Sequence, residues 1–595
     1  MKRWFSRIGT GLWIVVAALA AVVGAGLTSA VDALGSVYPE QLATTEAVRA
    51  SVAAAPRPQH DEQLPTAVVL LSAEGTNAAD TLAPYEVLAS SGEFNVYTVA
   101  PERRPIPLNG GLDLVPDFGF DELAERFPTG VDVVIVPAVQ EVRTSASDPL
   151  RGWLAQQADQ GATVVGVCVG AELLAGAGLL DGREATSHWL ALGMGGIESR
   201  YPDVEWTRGV RYVDDGEIIT TAGMLSGVDG ALRVLERYAG EGAARQAADT
   251  VGWELYETGR AAEVPVSRPR PPDVVALLNL AYRQPADLGV VLTEGVGEIE
   301  LASVFRPYTE LSYLARPLTV TADGQPIQSR HGLTFVPRGS LSESAGDVDR
   351  LVVPGAAASA AADPEIARVA ERAGVEVTYL HTRAEFPFDA ALRDVASTTD
   401  VATATWVAKT LEYPMPAQVD GDAWPWALSL RALAFALLGA AIAAGVAVLF
   451  ARRPPVRRFV GHYLVMVVAM LAGMMLLGPV WTAVIPGLAD APVAHTLTMA
   501  VDMAVGMGLV MRLQGHGWRL TLEMAAAMIA PFVVLLVPYA LGALSADGLM
   551  MWGHVLMFVT MLVAMLLRRE HYTHAHRWRL PFRTLSSSSP AAPAP

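Results

Sequence analysis

One thiol stands out in the chain. Cys168 is the only cysteine among 595 residues. It sits in Gly166-Val167-Cys168-Val169-Gly170, directly after the β-branched run Thr163–Val167 and before a helical pattern. Small residues on both sides of a nucleophile permit the sharp strand-to-helix turn that lifts its side chain over the edge of a parallel sheet. A helix N-terminus behind the sulfur favours the thiolate, so a depressed thiol pKa is expected. A cysteine buried at a tight turn is the other reading of the same five residues. With one cysteine no intrachain disulfide can form.

A second group with chemical potential lies near the carboxyl end. Met499, Met503, Met507 and Met511 recur every fourth residue, and Asp502, Glu523 and His554 fall within apolar runs. Thioethers with an imidazole suit soft Cu(I). Adaptable methionine packing around a buried carboxylate–histidine contact is the alternative, and the one favoured.

The elements that must position these residues divide the chain. Composition is 52% hydrophobic with a formal net charge of −18. The acidic balance excludes a phosphate-binding surface, so nucleic acid is not an expected partner. A basic start, Lys2-Arg3, precedes an apolar run from Ile8 to about Ala30. It reads as a membrane anchor, with a cleaved signal peptide as the rival because Thr28-Ser29-Ala30 are small. Five more apolar runs come later: Ala432–Ala451, Val460–Pro486, Ala494–Met511, Leu520–Ala543 and Leu549–Leu567. Arginines cluster in alternate loops: Arg452, Arg453, Arg457 and Arg458; then Arg512 and Arg519; then Arg568, Arg569, Arg577, Arg579 and Arg583. Basic loops face the cytoplasm. The expectation is a multi-pass cell-membrane protein with both termini cytoplasmic and everything from about residue 31 to 425 outside.

The domains expected are an anchor (1–30), a linker (31–64), an α/β domain (65–255), a second linker (256–272), another α/β domain (273–415), five membrane helices (427–570) and a cytoplasmic tail (571–595). Short β-branched runs alternating with helical patterns give the parallel sheets, flavodoxin-like in both α/β domains.

The stretch GVCVGAELLAGAGLLDGREATSHW, Gly166 to Trp189, closely resembles the ThiJ/PfpI superfamily within the class I glutamine-amidotransferase-like fold, in the branch also fused to AraC-type regulators. YVDDGEIITTAGMLSGVD, Tyr212 to Asp229, resembles that family's late strand and glycine turn. The resemblance spans residues 66–250. It implies that Cys168 is the nucleophile, that His188 in Ala-Thr-Ser-His-Trp is its proton partner, and that Asp80 in ADTLAPYEVL is an acid touching the sulfur. The backbone N–H groups of Val169 and Ala138 would hold an oxyanion. No cofactor or metal is implied. Two departures stand out. Pro137-Ala138-Val139 replaces the usual Pro-Gly-Gly, and Val169 stands where isonitrile-hydrating relatives have Thr.

Leu288–Glu300, Leu351–Ala356 and Gly374–Glu385 repeat the rhythm, with His381 opposite Cys168 and the elbow glycines gone. This half reads as a degenerate second copy. The function expected is a membrane-anchored cysteine hydrolase or lyase acting on a small electrophile. The rivals are a membrane receptor for a metabolite or for oxidation, and the head of a soft-metal or small-solute transporter. Expected partners are a small-molecule substrate or ligand, the lipid bilayer and a second copy of the chain in a homodimer.

Overall fold

The computed structural model describes residues 2–43, 45–451, 454–484, 492–540 and 546–573. Arg452, Arg453, Asp490 and the arginines of the tail (Arg577, Arg579, Arg583) lie outside the described residues. The chain divides into two compact units, Ala18–Gly439 and a second made of Met1–Ala17 with Ala440–Pro595.

The larger unit holds two sheets, parallel except for one antiparallel edge strand in the first. In the first, β1 (Thr66–Leu70), β2 (Asn95–Ala100), β5 (Phe118–Gly119), β6 (Val133–Val136), β7 (Thr163–Gly166), β10 (Tyr212–Asp215) and β11 (Ile218–Thr221) stand in the order β10-β11-β7-β6-β1-β2-β5. In the second, β12 (Ala286–Val291), β13 (Ala315–Thr321), β16 (Gly339–Ser340), β17 (Arg350–Val353) and β18 (Glu376–Tyr379) stand in the order β16-β13-β12-β17-β18. Position for position, this repeats β5-β2-β1-β6-β7. The central strands of the first sheet are buried throughout, which explains why they read as unbroken Val/Ile/Leu runs. The remaining strands are β3 (Ile106–Leu108) and β4 (Leu112–Val115), β8 (Glu184–Ala185) and β9 (Glu205–Trp206), and β14 (Ile327–Gln328) and β15 (Thr334–Val336).

The hairpins β3–β4 and β14–β15 join the sheets through an antiparallel β4–β15 ladder in which Phe335 opposes Leu114. Nearby, helix α3 (Ala78–Ser91) packs on the later helix Glu298–Tyr308. One apolar core runs through both, taking in Leu82, Tyr85, Phe305 and Tyr308.

The anchor run forms α1 (Lys2–Gly35), longer than the apolar stretch itself. Residues 31–64 are not the loose linker expected of them. Asp32 pairs with Arg316, Val37 is buried and accepts the N–H of Gly110, and Glu46–Ala54 form α2. The Ala/Pro/Thr composition of this segment reads as a tether, but apolar partners elsewhere in the fold hold it down.

Among the described residues six helices are long and apolar enough to cross a bilayer, with spans Ile14–Gly35, Trp426–Val448, Arg458–Gly478, Val493–Leu513, Trp518–Tyr539 and Gly548–Leu567. In the smaller unit Met466, Met470, Met503, Met507, Met511, Met524, Met528, Met557, Met561 and Met565 pack together with Phe532 as its core. The methionine stripe is thus a packing surface. The carboxylate–histidine contact expected there is not made. Glu523 pairs with Arg519 and Arg568, His554 donates Nδ1–H to its own helix at Met550, and Asp502 accepts from the Trp481 indole.

Candidate active site

Cys168 lies two residues beyond β7, at the start of α4 (Gly170–Gly176), with φ 57°. This is left-handed backbone, which a side chain bearing a Cβ adopts at a cost and which clusters at functional sites. Gly170 is required beside it: a Cβ there would lie 2.0 Å from the Val136 carbonyl oxygen. The Cys168 carbonyl accepts the Ser187 hydroxyl at 2.9 Å. The elbow is therefore built as its sequence indicates.

The thiol is sealed, with Cys168 only 1% exposed. Burial pushes its pKa well above the ordinary thiol value, the charges of Asp80 and Glu310 push the same way, and the Val169 N–H pulls against them. The depressed pKa expected from the helix end does not hold, because desolvation of the anion outweighs one N–H and a helix of seven residues.

Asp80 is the third residue of α3, whose first turn is capped by the Asn77 side chain. It is fully buried. Oδ2 accepts the Ala138 N–H at 3.1 Å, while Oδ1 has no hydrogen-bond partner. Burial pushes its carboxyl well above the usual carboxylate range, which favours the protonated form. Ala138 thus gives its N–H to Asp80 and does not present it as an oxyanion donor. The Val169 N–H faces the sulfur.

His188 is tied elsewhere. It caps the short helix α5 (Trp189–Gly193) by accepting the Leu190 N–H at Nδ1, and its Nε2 lies 2.9 Å from the Thr410 carbonyl. Burial lowers its pKa to about 4, so it is neutral. Both ring nitrogens are committed to backbone.

Four residues that sequence reasoning missed complete the site, all from outside residues 66–250. Tyr38 comes just after the anchor helix. Its ring packs on Gly75, and its buried hydroxyl interacts with Glu310, Asp80, Arg306 and Cys168. Arg306 belongs to α8, the helix Glu298–Tyr308 of the second sheet (α6 and α7 being Ser226–Ala239 and Val274–Tyr282). It is fully buried, donates Nε–H to the Met224 sulfur at 2.7 Å and lies 3.5 Å from Glu310. Glu310 accepts from the Asn77 amide at 2.6 Å. Glu412, just beyond α9 (Val401–Leu411), is raised to about 7 by burial. No local pattern marks these four, since each lies far along the chain from Cys168.

The second sheet carries a matching arrangement. His381 lies two residues beyond β18, as Cys168 does beyond β7. Its Nδ1 accepts the Gly355 N–H, and its Nε2 lies 3.0 Å from the Ser303 hydroxyl. Glu300, third residue of α8 as Asp80 is of α3, accepts the Ala356 N–H at 2.7 Å.

Residues 66–237 match the DJ-1/PfpI family. The isonitrile hydratase of Pseudomonas putida is 32% identical over 167 residues, 27% of this chain and 67% of that protein. The chain belongs to the DJ-1/PfpI family. A second relative, the HTH-type transcriptional regulator GbdR of Pseudomonas aeruginosa, is 25% identical over 244 residues, 40% of this chain and 64% of that protein. Among solved structures, a THiJ/PfpI family protein from Pseudomonas syringae is 21% identical, with 35% of this chain and 86% of that one covered at a TM-score of 0.29.

Proposed function

We propose that this DJ-1/PfpI protein is a membrane-held thiol–acid catalyst that hydrates or hydrolyses a small, uncharged electrophile outside the cytoplasm. The observation that carries the reading is the pair itself. Cys168 sits in left-handed backbone at a strand-to-helix elbow, beside a buried Asp80 whose carboxyl is pushed up by burial and whose Oδ1 has no hydrogen-bond partner. A strained nucleophile and an orphaned acid oxygen are both costly to keep, which favours a shared use.

In this reading Sγ adds to a carbonyl- or nitrile-like carbon as the thiol proton passes, by way of Asp80, to the substrate heteroatom. With an acyl substrate the protonated leaving group departs to leave a thioester, with a nitrile-like one the nitrogen stays as a thioimidate, and water then adds to that carbon. The carbon–sulfur bond breaks, and the thiol recovers its proton through Asp80. His188 takes no part, because its ring is bound to Thr410 and Leu190. The substrate is uncharged because a further ion would lose its hydration in a site already holding Arg306, Glu310 and Glu412. The isonitrile hydratase relative supports hydration of an electrophilic carbon. The second sheet serves as a degenerate copy that closes the first site, as a partner subunit in a dimer would. No turnover is assigned to it.

The test uses the full chain in lipid nanodiscs with aldehydes, esters, amides, nitriles and isonitriles. Turnover or a covalent adduct should appear with one class and vanish in Cys168→Ser and Asp80→Asn. Absence of both across the panel, even after Tyr38→Ala opens the site, would sink the catalytic reading.

One observation favours a second reading. Tyr38, just beyond the anchor helix, has its hydroxyl within electrostatic reach of the sealed thiol. A receptor that releases Tyr38 when a ligand or an oxidant reaches Cys168 would couple the site to the membrane.

A further inference from the structure

Helix α7 (Val274–Tyr282) has apolar residues on opposite sides. Val275 is buried in a cluster with Trp189 and Trp406. Leu277, by contrast, is 64% exposed and Val274 is 44% exposed. Beside α7 lies an open groove of about 480 Å3, lined by Trp189, Met194, Leu277, Leu311, Tyr313 and Trp406 among others. That volume falls in the range of small-molecule sites. Such a concentration of exposed apolar side chains on a water-facing domain marks an interaction surface.

The neighbours of α7 identify what covers it. The Tyr282 hydroxyl donates to the Val22 carbonyl of α1 at 2.6 Å, and a Cβ at Gly26 of α1 would stand 2.5 Å from the Ala281 Cβ. The Tyr282 carbonyl accepts Arg431 at 2.8 Å, and its ring stacks on Phe435 at 6.1 Å. Val22, Gly26, Arg431 and Phe435 all lie within apolar spans. The end of α7 is therefore held among residues that hydrocarbon surrounds, so the bilayer surface meets the domain at this helix.

The polar surroundings agree. Trp424 packs against the Trp189–Trp406 cluster, and indoles favour the headgroup level. Lys409 sits over the Trp189 ring at 4.8 Å with its ammonium paired to Asp273, and it is Arg270 that lines the groove with an exposed basic side chain. Long basic side chains at a membrane surface reach toward phosphates.

We propose that this groove seats an acyl chain of a bilayer phospholipid, entering sideways from the leaflet in which α7 is half-embedded. The proposal does not depend on catalysis at Cys168. The wall of the groove does link the two sites. Leu311 and Tyr313 hold left-handed backbone at φ 63° and 57°, and Glu310 of the same loop is bonded to Asn77 beside Asp80.

The test is photolabelling of the full chain in nanodiscs containing a phospholipid with a diazirine at its acyl terminus. Peptide mass spectrometry should find adducts on α7 and on segments 189–194 and 311–313, as well as on the membrane spans. Leu277→Asp should cut the groove adducts by about tenfold while leaving the span adducts unchanged, because a carboxylate is expelled from hydrocarbon. Leu277→Phe should keep them. Adducts confined to the spans, or groove adducts indifferent to Leu277→Asp, would overturn the proposal.

Discussion

At the scale of the residue, the site is a thiol and an acid that burial makes hard to ionise. Cys168 is raised by burial and by Asp80, and Asp80 by its own burial. Alkylation of the folded protein should therefore show a midpoint above the free-thiol value of ~8.5. Asp80→Asn should lower that midpoint, since it removes a carboxyl whose charge, wherever it is ionised, opposes the thiolate. Tyr38→Ala should raise the rate at every pH by opening the pocket, and mass-tag kinetics read both effects. Glu412 gives a second pH dependence. Its folded pKa of about 7 lies above the ~4.3 of an unfolded chain. Below about pH 4 the group is protonated in both states. As pH rises toward 7 the unfolded state ionises first, so stability falls by up to about 4 kcal/mol and then levels off. Denaturant melts of Glu412→Gln across pH 4–8 should lack that component. That Cys168 lies at a strand-to-helix elbow and Asp80 in the first turn of a helix was legible in the sequence, because short local patterns fix both positions. The role of His188 was not, because its ring is claimed by Thr410, 222 residues away.

At the scale of the element, the elbow depends on absent side chains. In Gly170→Ala the new Cβ would meet backbone, the Val136 carbonyl at 2.0 Å, which cannot swing aside as a side-chain tip can. The substitution should cost several kcal/mol of stability, in the class of severe backbone clashes. Gly152→Ala, whose Cβ meets nothing within 4 Å, should be nearly neutral by the same melt. Strand positions were legible because buried parallel strands are unbroken apolar runs. The repeated rhythm also gave the matching positions of His381 and Cys168. Residues 31–64 read as a linker because the contacts of Asp32, Val37 and Tyr38 with Arg316, Gly110 and Gly75 come from distant parts of the chain, and composition carries no record of tertiary partners.

At the scale of the whole molecule, the question is which side of the membrane holds the α/β unit. Six apolar helices long enough to span are described, the first beginning before residue 20 and the rest after residue 425. With six crossings the ends share a side, and the long segment after the first crossing takes the other. The arginines choose between the two orientations. Lys2 and Arg3 precede the first span, Arg458 opens the third, Arg512 stands at the end of the fourth and Arg519 at the start of the fifth, and Arg568 and Arg569 come after the sixth. One orientation puts every one of these clusters in the cytoplasm, and the other exports them all. The acidic charge of the long segment is no obstacle, because long domains translocate largely regardless of charge. Reporters fused near residue 260 and after residue 584 should therefore read outside and inside. Moving the arginines supplies the control. Replacing Arg512 and Arg519 by Asn while adding arginines to the loop before residue 492 should reduce the fraction of correctly oriented chains. Identical readings at the two fusion points would mean that one apolar helix does not cross, and α1, whose outer half is bonded to the α/β unit, would be the first to re-examine.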